Sequence, residues 1–152
     1  MAGHAIKKGY ADSTLGQIHY RIGGSGTAMV LVHQDPQSAL QFLHVMPRLL
    51  DAGFQVIAPD IPGYGLSDGQ LKPPTIPEYA DALSEVLDQL NIDEAVVVGH
   101  HTGASIACQL AHAHSNQVER LVLHGLPFYT PEEREERLAR PHMDFRAKKD
   151  GS

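Results

Sequence analysis

The chain has 152 residues, 42% of them hydrophobic and 20% charged, with a formal net charge of −6. That length is one ordinary domain with enough apolar mass for a core, and the acidic balance argues against a nucleic-acid partner, which favours a basic face. No apolar run approaches the roughly 20 residues that span a bilayer, the opening MAGHAIKKGYADS lacks the apolar stretch of a signal peptide, and the single cysteine, Cys108, cannot form an internal disulfide, so the expectation is a soluble, cytoplasmic protein with no membrane partner.

In chain order, QIHYRIGGSG at 17–26 alternates Ile18, Tyr20 and Ile22 before a Gly/Ser turn, which predicts a half-buried, antiparallel leading strand. AMVLVH at 28–33 is a continuous apolar run, the pattern of a strand covered on both faces. Residues 38–53 predict a helix, with Ser38 as N-cap, Gly53 just past the end, and Pro47 splitting or kinking it. FQVIAP at 54–59 is a second buried strand, and DIPGYGLSDG at 60–69 a loop. There Gly63 and Gly65 read as turn glycines, and Asp60, Ser67 and Asp68 as side chains bonding their local backbone.

The clearest helix is 75–91, where Thr75 and Glu78 form a capping box and Tyr79, Leu83, Val86, Leu87 and Leu90 fall on one face. EAVVVG at 94–99 is a third buried strand, followed by a helix from Thr102 to His114 and a fourth buried strand, VERLVLHG, at 118–125. Cys108 reads as a small buried residue of that helix, and His112 and His114 as surface residues at its end. Thr130, Pro131 and Glu133 predict a short exposed helix in the polar remainder.

Strands alternating with helices, with the buried strands non-alternating, predict a mostly parallel sheet of about four central strands flanked by three helices. Ligands of such sheets bind beyond the carboxyl ends of the strands. Those ends carry His33, Pro59 and Asp60, Gly99 to His101, and His124 with Gly125.

Three segments, in order, resemble the α/β-hydrolase superfamily, most of all its branch of esterases, haloperoxidases, epoxide hydrolases and haloalkane dehalogenases. LVHQDPQS at 31–38 is similar to the oxyanion segment, VIAPDIPGYGLSDG at 56–69 to the Pro-Asp-x-x-Gly-x-Gly-x-Ser-Asp loop, and VVVGHHTGA at 96–104 to the nucleophile elbow. The likeness covers about residues 17–126 and implies the N-terminal part of that fold, truncated at the start of a cap region. The domain reading is a core at 1–126 and a polar helical tail at 127–152. The strands that carry the family's catalytic acid and histidine have no counterpart.

By that resemblance the elbow's small positions are met by Gly99 and Gly103, while His101 takes the nucleophile position and His100 precedes it. Imidazole is a competent covalent nucleophile. The backbone N–H groups of Asp35 and Thr102 become the oxyanion donors, and His33, Gln34, His100 and His124 are placed around a substrate pocket. Gln34 stands where the family has glycine, and an Asp35 carboxylate turned inward would repel an oxyanion, whereas one turned to solvent would not. The implied activity is small-molecule hydrolysis of the ester or epoxide class. Its alternatives are a catalytically inactive binding module and, less favoured, a metal site built from His33, His100, His101 and His124. No cofactor and no metal is expected. The partners are a small molecule and, through an unpaired sheet edge after 125, further copies of the chain.

Overall fold

The structure, a computed structural model, describes residues 5–139. Residues 140–152 of the expected tail lie outside the described residues.

Six strands form one sheet: β1 (Lys7–Ser13), β2 (Gly16–Gly23), β3 (Ala28–Val32), β4 (Gln55–Pro59), β5 (Ala95–His100) and β6 (Val118–His124). Their spatial order is β1-β2-β4-β3-β5-β6. The pairs β3–β4, β3–β5 and β5–β6 are parallel, whereas β1–β2 and β2–β4 are antiparallel. Two antiparallel strands therefore lead the sheet, where the sequence predicts one. In β1 only Ala11 is buried, so no apolar alternation marks it.

The helices are α1 (Met46–Asp51), α2 (Ile76–Gln89), α3 (Thr102–Ala113) and α4 (Pro131–Ala139). The chain visits β4 on one side of β3 and then crosses to β5 on the other, which puts α1 on one face of the sheet and α2 with α3 on the opposite face. Met46 and Leu50 of α1 pack with Leu31, Val56 and Ala58. Tyr79, Leu83 and Leu87 of α2 and Ile106 and Leu110 of α3 pack with Val30, Val32, Ile57 and Val97. Both sides of β3 and β4 are thus covered, which is why those strands are apolar without interruption.

The helix expected over 38–53 is broken. A 3-10 turn, Ala39–Phe42, is capped by the Ser38 hydroxyl, and α1 begins afterwards with Pro47 in its first turn. Proline costs nothing there, since a first-turn N–H has no intrahelical partner. Gly53, at φ 87°, ends the unit. The Thr75–Glu78 capping box of α2 is present, and its bonds hold the Glu78 carboxyl below its ordinary range.

The strand at 118–125 forms, but it is not buried. Leu121, Val122 and Leu123 of β6 are 36%, 49% and 38% exposed. β6 is the last strand of the sheet, so its outer edge is unpaired among the described residues. No helix among them is long and apolar enough to cross a membrane.

Candidate functional site

The order reversal around β3 brings the carboxyl ends of β3 and β5 side by side, the place where parallel sheets take ligands. Between β5 and α3 the chain turns on one residue, His101, with φ 52° and ψ −115°. Left-handed φ is uncommon outside glycine, although histidine is among the residues that tolerate it. The His101 N–H donates to the His124 carbonyl at 2.9 Å, and its own carbonyl accepts the first helical bond, from Ala104 N at 2.8 Å. A Cβ on Gly99 would lie 2.3 Å from the Gly103 carbonyl oxygen, and one on Gly103 would lie 2.2 Å from that of Val32. The turn therefore admits no side chain at either flank. It presents the His101 ring to solvent.

The segment after β3 faces this turn. Asp35 accepts a short hydrogen bond from the Thr102 hydroxyl, so its carboxylate is drawn onto the first residue of α3. Among the described residues the backbone N–H groups of Asp35 and Thr102 carry no acceptor. Gln34 is half-buried, and its N–H donates to Gln41 Oε1 at 3.4 Å. That contact turns the Gln41 amide nitrogen toward His100 Nδ1, at 2.7 Å. Gln41 thus bridges the two segments, a role that no local spacing in the sequence announces.

His33 is fully buried. Its Nδ1–H donates to the Gln34 carbonyl at 2.8 Å and its Nε2 accepts from Ile61 N at 2.9 Å, which occupies both nitrogens and fixes the neutral ring. It braces two loops and offers a ligand no free nitrogen. Burial holds its pKa below the ordinary imidazole value, against the Gln34 carbonyl and the Asp60 and Asp35 charges. In the unfolded chain the ring titrates near about 6.5. As pH falls, the unfolded state therefore takes up the proton first. The stability contributed by neutral His33 is complete above about 6.5 and is lost progressively below it. A series of urea midpoints from pH 7 to 5 is expected to fall, and a His33→Gln variant, though less stable throughout, is expected to fall less steeply.

His100 and His124 stack at 4.7 Å between ring centroids, 25° apart. They border a groove of about 520 Å³ on the α1 face, walled by Met29, Leu31, Val98 and Val122. Burial, then the neighbouring His124 and His101, push His100 below its ordinary pKa. The sequence-predicted pocket residues thus divide into a buried brace, a bridge and a groove lining. A larger depression, about 880 Å³, lies between the β1–β2 turn and residues 68–75 and includes Asp68, Lys72 and Glu78 but none of the residues of the β5–α3 turn. Among the described residues no three His, Cys, Asp or Glu side chains are placed to hold a metal ion.

Three other expectations change. Asp60 is buried, and its carboxylate accepts from His19 Nδ1 at 2.9 Å, Ala39 N at 2.6 Å and Leu66 N at 2.9 Å. Ser67 Oγ and Asp68 Oδ2 accept the N–H groups of His19 and Gln17 in β2. These three side chains are structural, but they reach across the sheet rather than only along the loop. His114 is no free surface residue: it meets Asp81 of α2 at 2.8 Å and Ser84 at 3.2 Å. Cys108 is half-buried.

Comparison with known proteins adds the following. The family model described as alpha/beta hydrolase fold matches residues 27–147. A bifunctional epoxide hydrolase 2 of Mus musculus is 33% identical over 133 residues, covering 84% of this chain and 24% of its own length. A solved epoxide hydrolase superposes with TM-score 0.75 at 34% identity, over 78% of this chain and 42% of that one. A solved N-acyl homoserine lactonase, complexed with N-butanoyl homoserine, does so with TM-score 0.74 at 29% identity, over 80% and 46%. The chain spans less than half the length of each.

Proposed function

The chain belongs to the alpha/beta hydrolase fold family, and on that premise we propose that its β5–α3 turn is the reaction centre of a small-molecule hydrolase of the ester or epoxide class. His101 is the group displayed for attack. The N–H groups of Thr102 and Asp35 are the donors for developing negative charge. The observation that carries this reading is the strained φ of 52° at His101, held between two glycines that admit no Cβ. Strain of this kind persists where surrounding structure imposes it, and it clusters at reaction centres. A neutral imidazole can attack an ester carbonyl through a ring nitrogen, pass its N–H proton to the departing alkoxide and leave an acyl-imidazole that water hydrolyses. Toward an epoxide, whose N-alkyl adduct water does not cleave, the ring acts instead as the general base for the attacking water. The two matched epoxide hydrolases and the matched lactonase act on compatible substrates by their names, and they support the class.

The test is turnover of p-nitrophenyl acetate and of styrene oxide by the chain and by His101→Ala. The expected loss is roughly 10²-fold or more for whichever substrate is turned over. Equal rates in the two proteins would remove His101 from the reaction. A second reading, a binding module without turnover, is favoured by the Asp35 carboxylate lying on Thr102. It predicts saturable ligand binding with no product in either protein.

A further inference from the structure

Asp35 is the one charged side chain hydrogen-bonded to the first residue of α3 among the described residues, and it arrives from the segment that faces the turn. A carboxylate oxygen only accepts, so the Thr102 hydroxyl donates to it and fixes its position. The same two residues supply the free N–H groups at this spot, and the amino end of a twelve-residue helix lies behind them. A partial positive charge is expected there. In this chain it is already matched by an internal anion.

We propose that Asp35 sets the charge preference of the β5–α3 turn, excluding anionic ligands while admitting neutral electrophiles. The inference rests on the turn being the reaction centre, as argued above. It sharpens the substrate class. The substrate that fits carries no negative charge at or beside its reacting group. The reach of this charge is visible elsewhere: with burial as the larger cause, Asp35 also raises the Tyr64 phenol above its ordinary pKa.

The experiment reads charge selectivity at His101 itself and needs no turnover. The intact chain is treated with excess iodoacetate, which is anionic, or iodoacetamide, which is neutral and nearly isosteric. In each case a ring nitrogen bonds to the methylene carbon and iodide leaves. Peptide mass mapping then gives the iodoacetate-to-iodoacetamide ratio at His101, with exposed His112 as internal reference. Removing one nearby charge in a partly solvated site changes such a ratio by about fivefold to tenfold. Asp35→Asn, which keeps an acceptor for Thr102 but loses the charge, is expected to raise the ratio at His101 by that factor. It is expected to leave the ratio at His112 unchanged. Asp35→Ala, which removes the acceptor as well, is expected to do the same. An unchanged ratio at His101 in both variants would overturn the inference, as would a rise of equal size at His112 or an absence of modification at His101. None of these outcomes depends on the His101→Ala rate comparison, so the two proposals fail separately.

Discussion

Replacing Asp60 with alanine is expected to remove about 3–5 kcal/mol of stability, which is the usual cost of deleting one partner from a buried polar pair. The carboxylate is 3% exposed and its partner His19 is 1% exposed. Three donors converge on its two oxygens: the His19 ring, the Ala39 N–H and the Leu66 N–H. They come from β2, from the turn after β3 and from the 60–69 loop, so a single side chain joins three segments that meet nowhere else in this way. With alanine all three donors are stranded in a dry interior, each costing about 1–3 kcal/mol if water cannot reach it. The His19 ring suffers most, because its Nε2 already has no partner among the described residues. Asp60→Asn keeps one accepting oxygen and is expected to lose roughly half as much. Gly65 supports the same interpretation, since a Cβ there would lie 2.2 Å from an Asp60 carboxylate oxygen. Urea unfolding monitored by circular dichroism measures the loss. Against a total stability of about 5–15 kcal/mol it brings the alanine variant close to unfolding at room temperature. A change below about 1 kcal/mol would mean that these donors find other acceptors.

Gly103→Ala is expected to destabilise by about 2–4 kcal/mol, opposite in sign to what helix propensity gives. On an exposed helix, alanine for glycine gains close to 1 kcal/mol. Here the added methyl would stand 2.2 Å from the Val32 carbonyl oxygen and 2.7 Å from that of His33. Both are backbone atoms of the central strand or its end, so no side chain can swing away. The amino end of α3 must lift instead, carrying the Thr102 N–H away from the Asp35 segment. Forced overpacking of this kind costs about 1–3 kcal/mol, and the lost contacts beneath the helix add to it. Gly99→Ala meets the Gly103 carbonyl at 2.3 Å and the Ala104 Cα at 2.5 Å, and is expected to behave alike. Paired denaturant titrations of the two variants decide the matter. A variant at least as stable as the parent would show that α3 and β3 can separate at this crossing without loss.

The parts of this molecule that were legible in the sequence are those written in local period and spacing. The runs AMVLVH at 28–33 and FQVIAP at 54–59 announce buried strands, and Thr75 with Glu78 announces the start of α2. The small positions at 99 and 103 follow from the resemblance to the nucleophile elbow, and the atoms a Cβ would meet at each supply the physical reason. What stayed hidden depends on tertiary placement. Nothing near Asp60 names His19 as its partner, because the two are 41 positions apart and meet only once β2 pairs with β4. β1 is invisible for a related reason: its exposed flanks carry lysines, and its place in the sheet comes from its hairpin with β2. The orientation of Asp35 could be stated only as a pair of options. The choice follows from where α3 begins relative to the end of β3, a distance no spacing encodes.

The bond from the His101 amide to the His124 carbonyl ties a residue held at left-handed φ to the last strand among the described residues. β6 has one paired neighbour, and nearly all its residues face water. Release of the last residues of β6 would slacken the tether on residue 101 and remove a restraint on its left-handed backbone, so the tautness of the turn depends on the strand beside it.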